Sequence, residues 1–133
     1  DIEHTWTGDI TLTLEHPDGT QVIVFDDADG CSANDMSFTF DDESANALDC
    51  DPGGGGTGAD AFPEADYIPS NALAAFDGKD SAGVWTLFVE DDAGGDTGIL
   101  NSWAITYDFD PIVATPLEVD LDANGMATIN ATD

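Results

Sequence analysis

The sequence predicts an all-β fold, an antiparallel jelly-roll-like β-sandwich or barrel with a C-terminal β-hairpin tail, on three observations. Apolar residues alternate with polar ones at period two in run after run, no stretch shows an amphipathic helix of three turns, and the connections are rich in Gly and Asp. The 133 residues suit one compact domain with a small appendage, and 41% hydrophobic residues suffice for a core.

The elements follow in order. Ile10, Leu12 and Leu14 alternate with Thr11, Thr13 and Glu15; Pro17-Asp18-Gly19 supplies turn residues; a β-branched run then covers Gln21 to Phe25. This is strand, turn and strand. Met36, Phe38 and Phe40 alternate ahead of Asp41-Asp42-Glu43, and Trp85, Leu87 and Val89 alternate with Thr86, Phe88 and Glu90. Trp103, Ile105, Tyr107 and Phe109 share one face of a last long strand. Residues 51–66 hold Pro52, four consecutive glycines at 53–56 and Gly58, and so read as a surface loop. Residues 69–76 suit one short helical turn, with Ser70 or Asn71 as its N-cap.

Composition breaks after Asp110-Pro111, which bounds a sandwich over residues 1–110 and a linker with hairpin over residues 111–133. In that tail Leu117, Val119 and Leu121 alternate, and Asn124-Gly125 is a strong hairpin signal. An isolated hairpin is not stable alone, so the tail packs on the sandwich or opens a further module. The chain starts at Asp1 without Met, as a mature fragment or excised module would.

Charge narrows the function. The chain has 29 acidic residues, 23 Asp and 6 Glu, against a single lysine, Lys79, and no arginine, for a formal charge of −28. Nucleic acid and anionic membrane are excluded as electrostatic partners, because nothing displaces counterions from phosphate. Calcium, bulk salt or a basic protein are the partners such a surface attracts, and adaptation to high salt is a further reading of the charge. No stretch is long and apolar enough for a membrane-spanning helix, and the N-terminus lacks the regions of a signal peptide.

Catalysis finds little support. His4 and His16 lie near no nucleophile elbow, and carboxylate pairs carry no information where aspartates are so abundant. His4 reads as a packed or hydrogen-bonded structural residue and His16 as a turn residue. Two histidines and two cysteines without close spacing do not make a zinc site. Cys31 and Cys50 read either as a disulfide between strands, which places the protein outside the cytoplasm, or as two free buried thiols.

Calcium is the better-supported chemistry. Asp26, Asp27 and Asp29 form one acidic loop after a strand, and Asp91, Asp92 and Asp96 form a second, with Gly94-Gly95 between. Calcium takes six to eight oxygens from carboxylates and loop carbonyls. The alternative is a solvated acidic loop that maintains solubility. Asp120-Leu121-Asp122-Ala123-Asn124-Gly125 matches the first half of an EF-hand loop, but position twelve is Ala131 and no helices flank it, which favours a plain turn.

His4-Thr5-Trp6-Thr7-Gly8-Asp9-Ile10-Thr11-Leu12-Thr13-Leu14, followed by His16-Pro17-Asp18-Gly19-Thr20, resembles the P domain (Homo B domain) of proprotein convertases and bacterial subtilisin-like proteases. Phe76-Asp77-Gly78, then Gly83-Val84-Trp85-Thr86-Leu87, then Asp91 through Gly98-Ile99-Leu100 to Trp103 look like that family's F-x-G, G-x-W-x-L and D-T-G-x-L-x-x-W segments, in order. The resemblance implies an eight-stranded jelly-roll-like barrel without an active site. In the family it follows a subtilisin-type catalytic domain and assists that domain's folding, stability and specificity. Trp85 and Trp103 are then core residues, and Asp9 a strand-end residue that fixes a turn or a metal. The one or two strands that precede this segment in the family are missing here, and the acidity exceeds the family's usual range. Residues 117–128 also look like the start of repeated modules in very large surface proteins of gliding and marine bacteria, where a Leu-Asp-Ala-Asn-Gly hairpin recurs.

The expected function is therefore a calcium-stabilised, non-catalytic accessory P domain of a secreted or cell-surface bacterial protein. Its expected partners are adjacent domains of a larger parent, either a subtilisin-like catalytic domain or repeat modules. The alternative is a structural or adhesive repeat of a surface filament, with self-assembly by strand addition at an open sheet edge.

Overall fold

A computed structural model describes residues 1–26, 34–48 and 65–107. They form seven strands, β1 (Ile2–His4), β2 (Ile10–Glu15), β3 (Gln21–Phe25), β4 (Thr39–Phe40), β5 (Asp66–Tyr67), β6 (Thr86–Asp91) and β7 (Gly98–Leu100), with two short 3-10 turns, Thr7–Asp9 and Leu73–Phe76. The fold is all-β, with sheets layered in the manner of a sandwich, as the alternation predicts. β2 is central in a three-stranded sheet of order β3-β2-β6, and both its pairings are antiparallel. β1 pairs antiparallel with β7 and bridges Met36 through Ile2.

The core grows from the predicted periodicity. Ile10 and Leu12 on β2, Val22 and Val24 on β3, and Ile2 and Met36 beside them are all buried. Phe25 departs from strict alternation. Leu12 pairs with Phe25 while Thr13 pairs with Ile23, so Val24 is one residue too many on its strand and forms a bulge. The bulge rotates the chain so that two successive side chains, Val24 and Phe25, face inward, and Phe25 is fully buried. Burying a phenylalanine contributes roughly 1.5–3 kcal/mol by transfer from water.

Elsewhere the structure departs from the expectations. The helical turn appears as the 3-10 turn Leu73–Phe76, but neither Ser70 nor Asn71 caps it. Asp42, 31 residues upstream of Leu73, accepts hydrogen bonds from the backbone N–H of Leu73 at 2.8 Å and Ala74 at 2.7 Å. Ser70 and Asn71 instead donate their backbone N–H groups to Val24 and Ile23, tying the turn to β3. Met36, Phe38 and Phe40 alternate inward as predicted, yet the strand itself is only β4, paired parallel to β5. The tail of the predicted last strand is not regular either: residues 101–107 form no strand. Trp103 is 42% exposed and Trp85 only partly buried, so neither belongs to the central core. The predicted tail hairpin lies outside the described residues.

Candidate functional site

Sheet topology brings the acidic runs to one place. β3 and β6 both run antiparallel to β2, so both end near its start, β6 with Asp91 opposite Ile10 and β3 with Phe25 opposite Leu12. Asp26 leaves β3, Asp91 ends β6 opposite Ile10, and Asp9 precedes Ile10 in the first 3-10 turn. Asp92 donates its backbone N–H to the Asp9 carbonyl at 3.1 Å, which fixes the two loops against each other. Three strand ends thus carry carboxylates to a single end of the sheet.

Two neighbours organise this acidic end. His4 on β1 is 2% exposed; its Nε2 lies 3.4 Å from Asp91 Oδ2, and its Nδ1 lies 2.8 Å from the Trp6 carbonyl. Thr5 donates its hydroxyl to Asp96 Oδ1 at 2.5 Å. Gly98 explains why β7 comes so close: a Cβ there would run into the Glu3 carbonyl and the His4 ring. The Asp-Thr-Gly segment therefore lies flat on β1 because its glycine has no side chain.

Asp91, Asp92 and Asp96 accordingly lie on one strand end and its loop, with Asp91 turned to His4 and Asp96 to Thr5. Among the described residues no three His, Cys, Asp or Glu side chains converge into a group that could hold a metal ion. Asp27, Asp29, Cys31 and Cys50 lie outside the described residues. The side chains at this end are mostly carboxylates, the hard oxygen donors that calcium prefers, with the His4 imidazole beside Asp91.

The opposite end of the sheet is a joint built from three of the motifs singled out in the sequence. His16, 4% exposed, stacks near Phe76 at 6.0 Å and takes Trp85 edge-on at 4.7 Å. Its Nε2 lies 3.0 Å from the Asp80 carbonyl, and its Nδ1 accepts the Asp18 backbone N–H at 3.0 Å. Lys79 donates to Asp18 Oδ2 at 2.5 Å and to Thr20 Oγ1 at 3.0 Å. That ammonium, with the Thr20 backbone N–H behind it, holds the Asp18 carboxyl well below the usual carboxylate range. Trp85 Nε1 donates to the Ser81 carbonyl at 3.1 Å. Gly83, at φ +130°, lets the loop lie on Pro17, where a Cβ would come within 2.7 Å of the proline ring.

The chain's single lysine thus serves as an internal tie, and both histidines are engaged by backbone and aspartate. Sequence reasoning predicted the packed His4 but missed the Lys79–Asp18 tie and the Asp42 cap. Each joins residues far apart in sequence, and the only available signal was the uniqueness of Lys79.

Among the described residues no helix is long and apolar enough to cross a membrane. The proprotein convertase P-domain family matches residues 1–107. A calcium-dependent protease of Trichormus variabilis is 33% identical over 111 residues, covering 82% of this chain and 13% of that protein. A calcium-dependent protease of Nostoc sp. is also 33% identical over 111 residues, with the same coverage. The chain therefore spans about an eighth of the length of these relatives, by the 13% coverage. No solved structure matches it significantly. The match runs through both ends of the sheet, the motif-built joint and the Asp-Thr-Gly strand alike, and the chain belongs to the proprotein convertase P-domain family.

Proposed function

We propose that this chain is a non-catalytic accessory module of a secreted or cell-surface, calcium-dependent, subtilisin-like protease, stabilised by calcium. The observation that carries this reading is the use made of the family's motifs. Phe76, Gly83, Trp85 and the turn at Pro17 are spent on holding two loops together, and His4 and His16 are buried among backbone and aspartate partners. These side chains build a scaffold, whose contribution to a protease is folding and rigidity.

Calcium enters through the acidic end of the sheet, where Asp91, Asp92, Asp96 and Asp26, with Asp27 and Asp29 next to Asp26 in sequence, are the proposed ligands. Its contribution there is charge neutralisation in a chain of net charge −28. The relatives' names as calcium-dependent proteases support the same assignment. A Cys31–Cys50 disulfide and an extracellular location complete the proposal, which places residues 1–110 in the module and residues 111–133 in a linker and hairpin.

The test is a graft. The chain replaces the matched 111-residue stretch of the Trichormus variabilis protease, and the chimera is compared with a deletion of that stretch. The chimera should regain calcium-dependent proteolysis and resistance to heating that the deletion lacks. A chimera no better than the deletion overturns the assignment, as does peptide hydrolysis by the isolated chain.

A further inference from the structure

Two Asp-Gly pairs lie within the described residues, Asp18-Gly19 and Asp77-Gly78, and the structure gives them opposite chemistry. An aspartate followed by glycine cyclises readily, because no Cβ on the next residue hinders its backbone nitrogen from attacking the side-chain carboxyl. That nitrogen must be free to reach the carboxyl, and the carboxyl must be protonated, so that its hydroxyl departs as water. Hydrogen bonds decide both conditions.

Asp77 and Gly78 are the central residues of a tight turn, closed by the Lys79 backbone N–H, which donates to the Phe76 carbonyl at 3.2 Å. Asp77 stands at φ −59° and ψ 136°, and Gly78 at φ +71°. These are the angles of a type II turn, whose second central position favours glycine. Rotation of the central peptide carries a type II turn to type I and keeps the closing hydrogen bond. Here the central peptide joins Asp77 to Gly78. Among the described residues, the Asp77 carbonyl, the Gly78 N–H and the Asp77 carboxylate make no hydrogen bond. In one sense of the rotation the Gly78 nitrogen sweeps past the Asp77 side chain, where a five-membered ring closes. Asp18-Gly19 is barred on each count. The Gly19 N–H is itself the donor that closes a turn, to the His16 carbonyl at 2.9 Å, and the His16 N–H donates to the Thr20 carbonyl at 2.9 Å. Lys79 and the Thr20 N–H hold the Asp18 carboxyl ionised, well below the usual carboxylate range.

We propose that Asp77-Gly78 is a site of spontaneous backbone isomerisation, from which Asp18-Gly19 is protected by its own turn and by Lys79. The Gly78 nitrogen attacks Asp77 Cγ. The N–Cγ bond forms as the amide proton and the carboxyl hydroxyl depart together as one water, leaving a succinimide. Water then adds to one of the two ring carbonyls. Cleavage of the N–Cγ bond restores aspartate; cleavage between that nitrogen and the main-chain carbonyl carbon of Asp77 leaves isoaspartate, whose backbone runs through Cβ. Nothing is oxidised or reduced, and the water lost is the water regained. The added methylene lies between Phe76, which packs on His16 and Trp85, and Lys79, which holds Asp18, so the product lengthens the link between two members of the joint. The inference is independent of the protease assignment, since it rests on the two turns alone.

The test incubates the full chain in heavy-oxygen water at mildly acidic pH, folded and in concentrated urea, and maps its peptides by mass spectrometry after digestion in ordinary water. Each passage through the ring leaves one heavy oxygen, and electron-transfer fragmentation distinguishes isoaspartate from aspartate. In the folded chain Asp77 should take up label at least about tenfold faster than Asp18, the factor set by breaking a turn-closing hydrogen bond. In urea the two should label at similar rates, and Asp77→Glu, which would need a six-membered ring, should abolish label at position 77. Equal labelling of Asp18 and Asp77 in the folded chain overturns the proposal, as does an Asp77 that labels only in urea. A difference that persists in urea belongs to the neighbouring sequence and also overturns it. The isoaspartyl chain, separated by ion exchange, should melt below the parent; an equal Tm overturns the link to the joint.

Discussion

Trp85→Ala should show how much stability resides in the joint that ties the β2–β3 turn to the loop before β6. The indole touches His16 edge-on at 4.7 Å, Phe76 at 5.0 Å and Tyr107 at 5.8 Å, and its Nε1 donates to the Ser81 carbonyl. Truncating a fully buried Trp to Ala costs about 3–5 kcal/mol through lost transfer energy and the cavity left behind. Trp85 is partly exposed, which sets its cost at the lower end, about 3 kcal/mol. For a domain of this size each kcal/mol moves Tm by about 3–5 °C, so the variant should melt roughly 10 °C below the parent. Trp85→Phe, which keeps the ring packing but loses the Ser81 bond, should recover more than half of that. In a double-mutant cycle with Phe76→Leu the edge-to-face pair should show a coupling of about 0.5–1.5 kcal/mol. Calorimetry of the parent and the four variants is the assay. A Tm for Trp85→Ala within about 2 °C of the parent would refute the joint as a stability element.

Two further predictions concern polar ties. Asp42→Ala removes the acceptor for the Leu73 and Ala74 backbone N–H groups, and urea denaturation should show a loss of about 1–2 kcal/mol, with Asp42→Asn recovering part. Because Asp18 is held below its ordinary range by Lys79, its ion pair stabilises the fold above the unfolded carboxylate range, and that stabilisation is lost as pH falls through the depressed value. The Tm difference between the parent and Asp18→Asn should therefore be steady at neutral pH and shrink below about pH 4, and Lys79→Met should reproduce the neutral-pH difference.

Much of the fold was legible because it is locally encoded. The alternation in Ile10–Glu15 and Gln21–Phe25, and the Pro17-Asp18-Gly19 turn between them, specify a hairpin without reference to the rest of the chain. What sequence could not give depends on partners distant in the chain. The bulge at Val24 answers the register against Leu12, the cap on Leu73 comes from Asp42, and the parallel pairing of Thr39–Phe40 with Asp66–Tyr67 joins two short segments of ordinary composition. Trp103, Ile105 and Tyr107 show the converse. Their period-two pattern states which side chains prefer one face, but a strand also requires a hydrogen-bonded neighbour, and periodicity does not specify one. At the acidic end, composition alone flagged the aspartates, whereas the packing of His4 against Asp91 required β1 and β7 to pair across almost the whole described chain. Asp27 and Asp29 of the candidate calcium set, and the two cysteines, lie outside the described residues, so their roles stand as proposals.

The most direct test of the account is the melting temperature of the chain as calcium is titrated against EDTA, with magnesium and high sodium chloride in parallel. A ligand of the native state stabilises by mass action, by about 2.7 kcal/mol at a hundredfold excess over Kd. The account predicts a calcium-specific rise of roughly 8–13 °C that saturates at micromolar to millimolar calcium and falls sharply in Asp91→Asn/Asp92→Asn. An equal rise in magnesium or sodium chloride would contradict it, leaving the aspartates as a screened acidic surface without a calcium site.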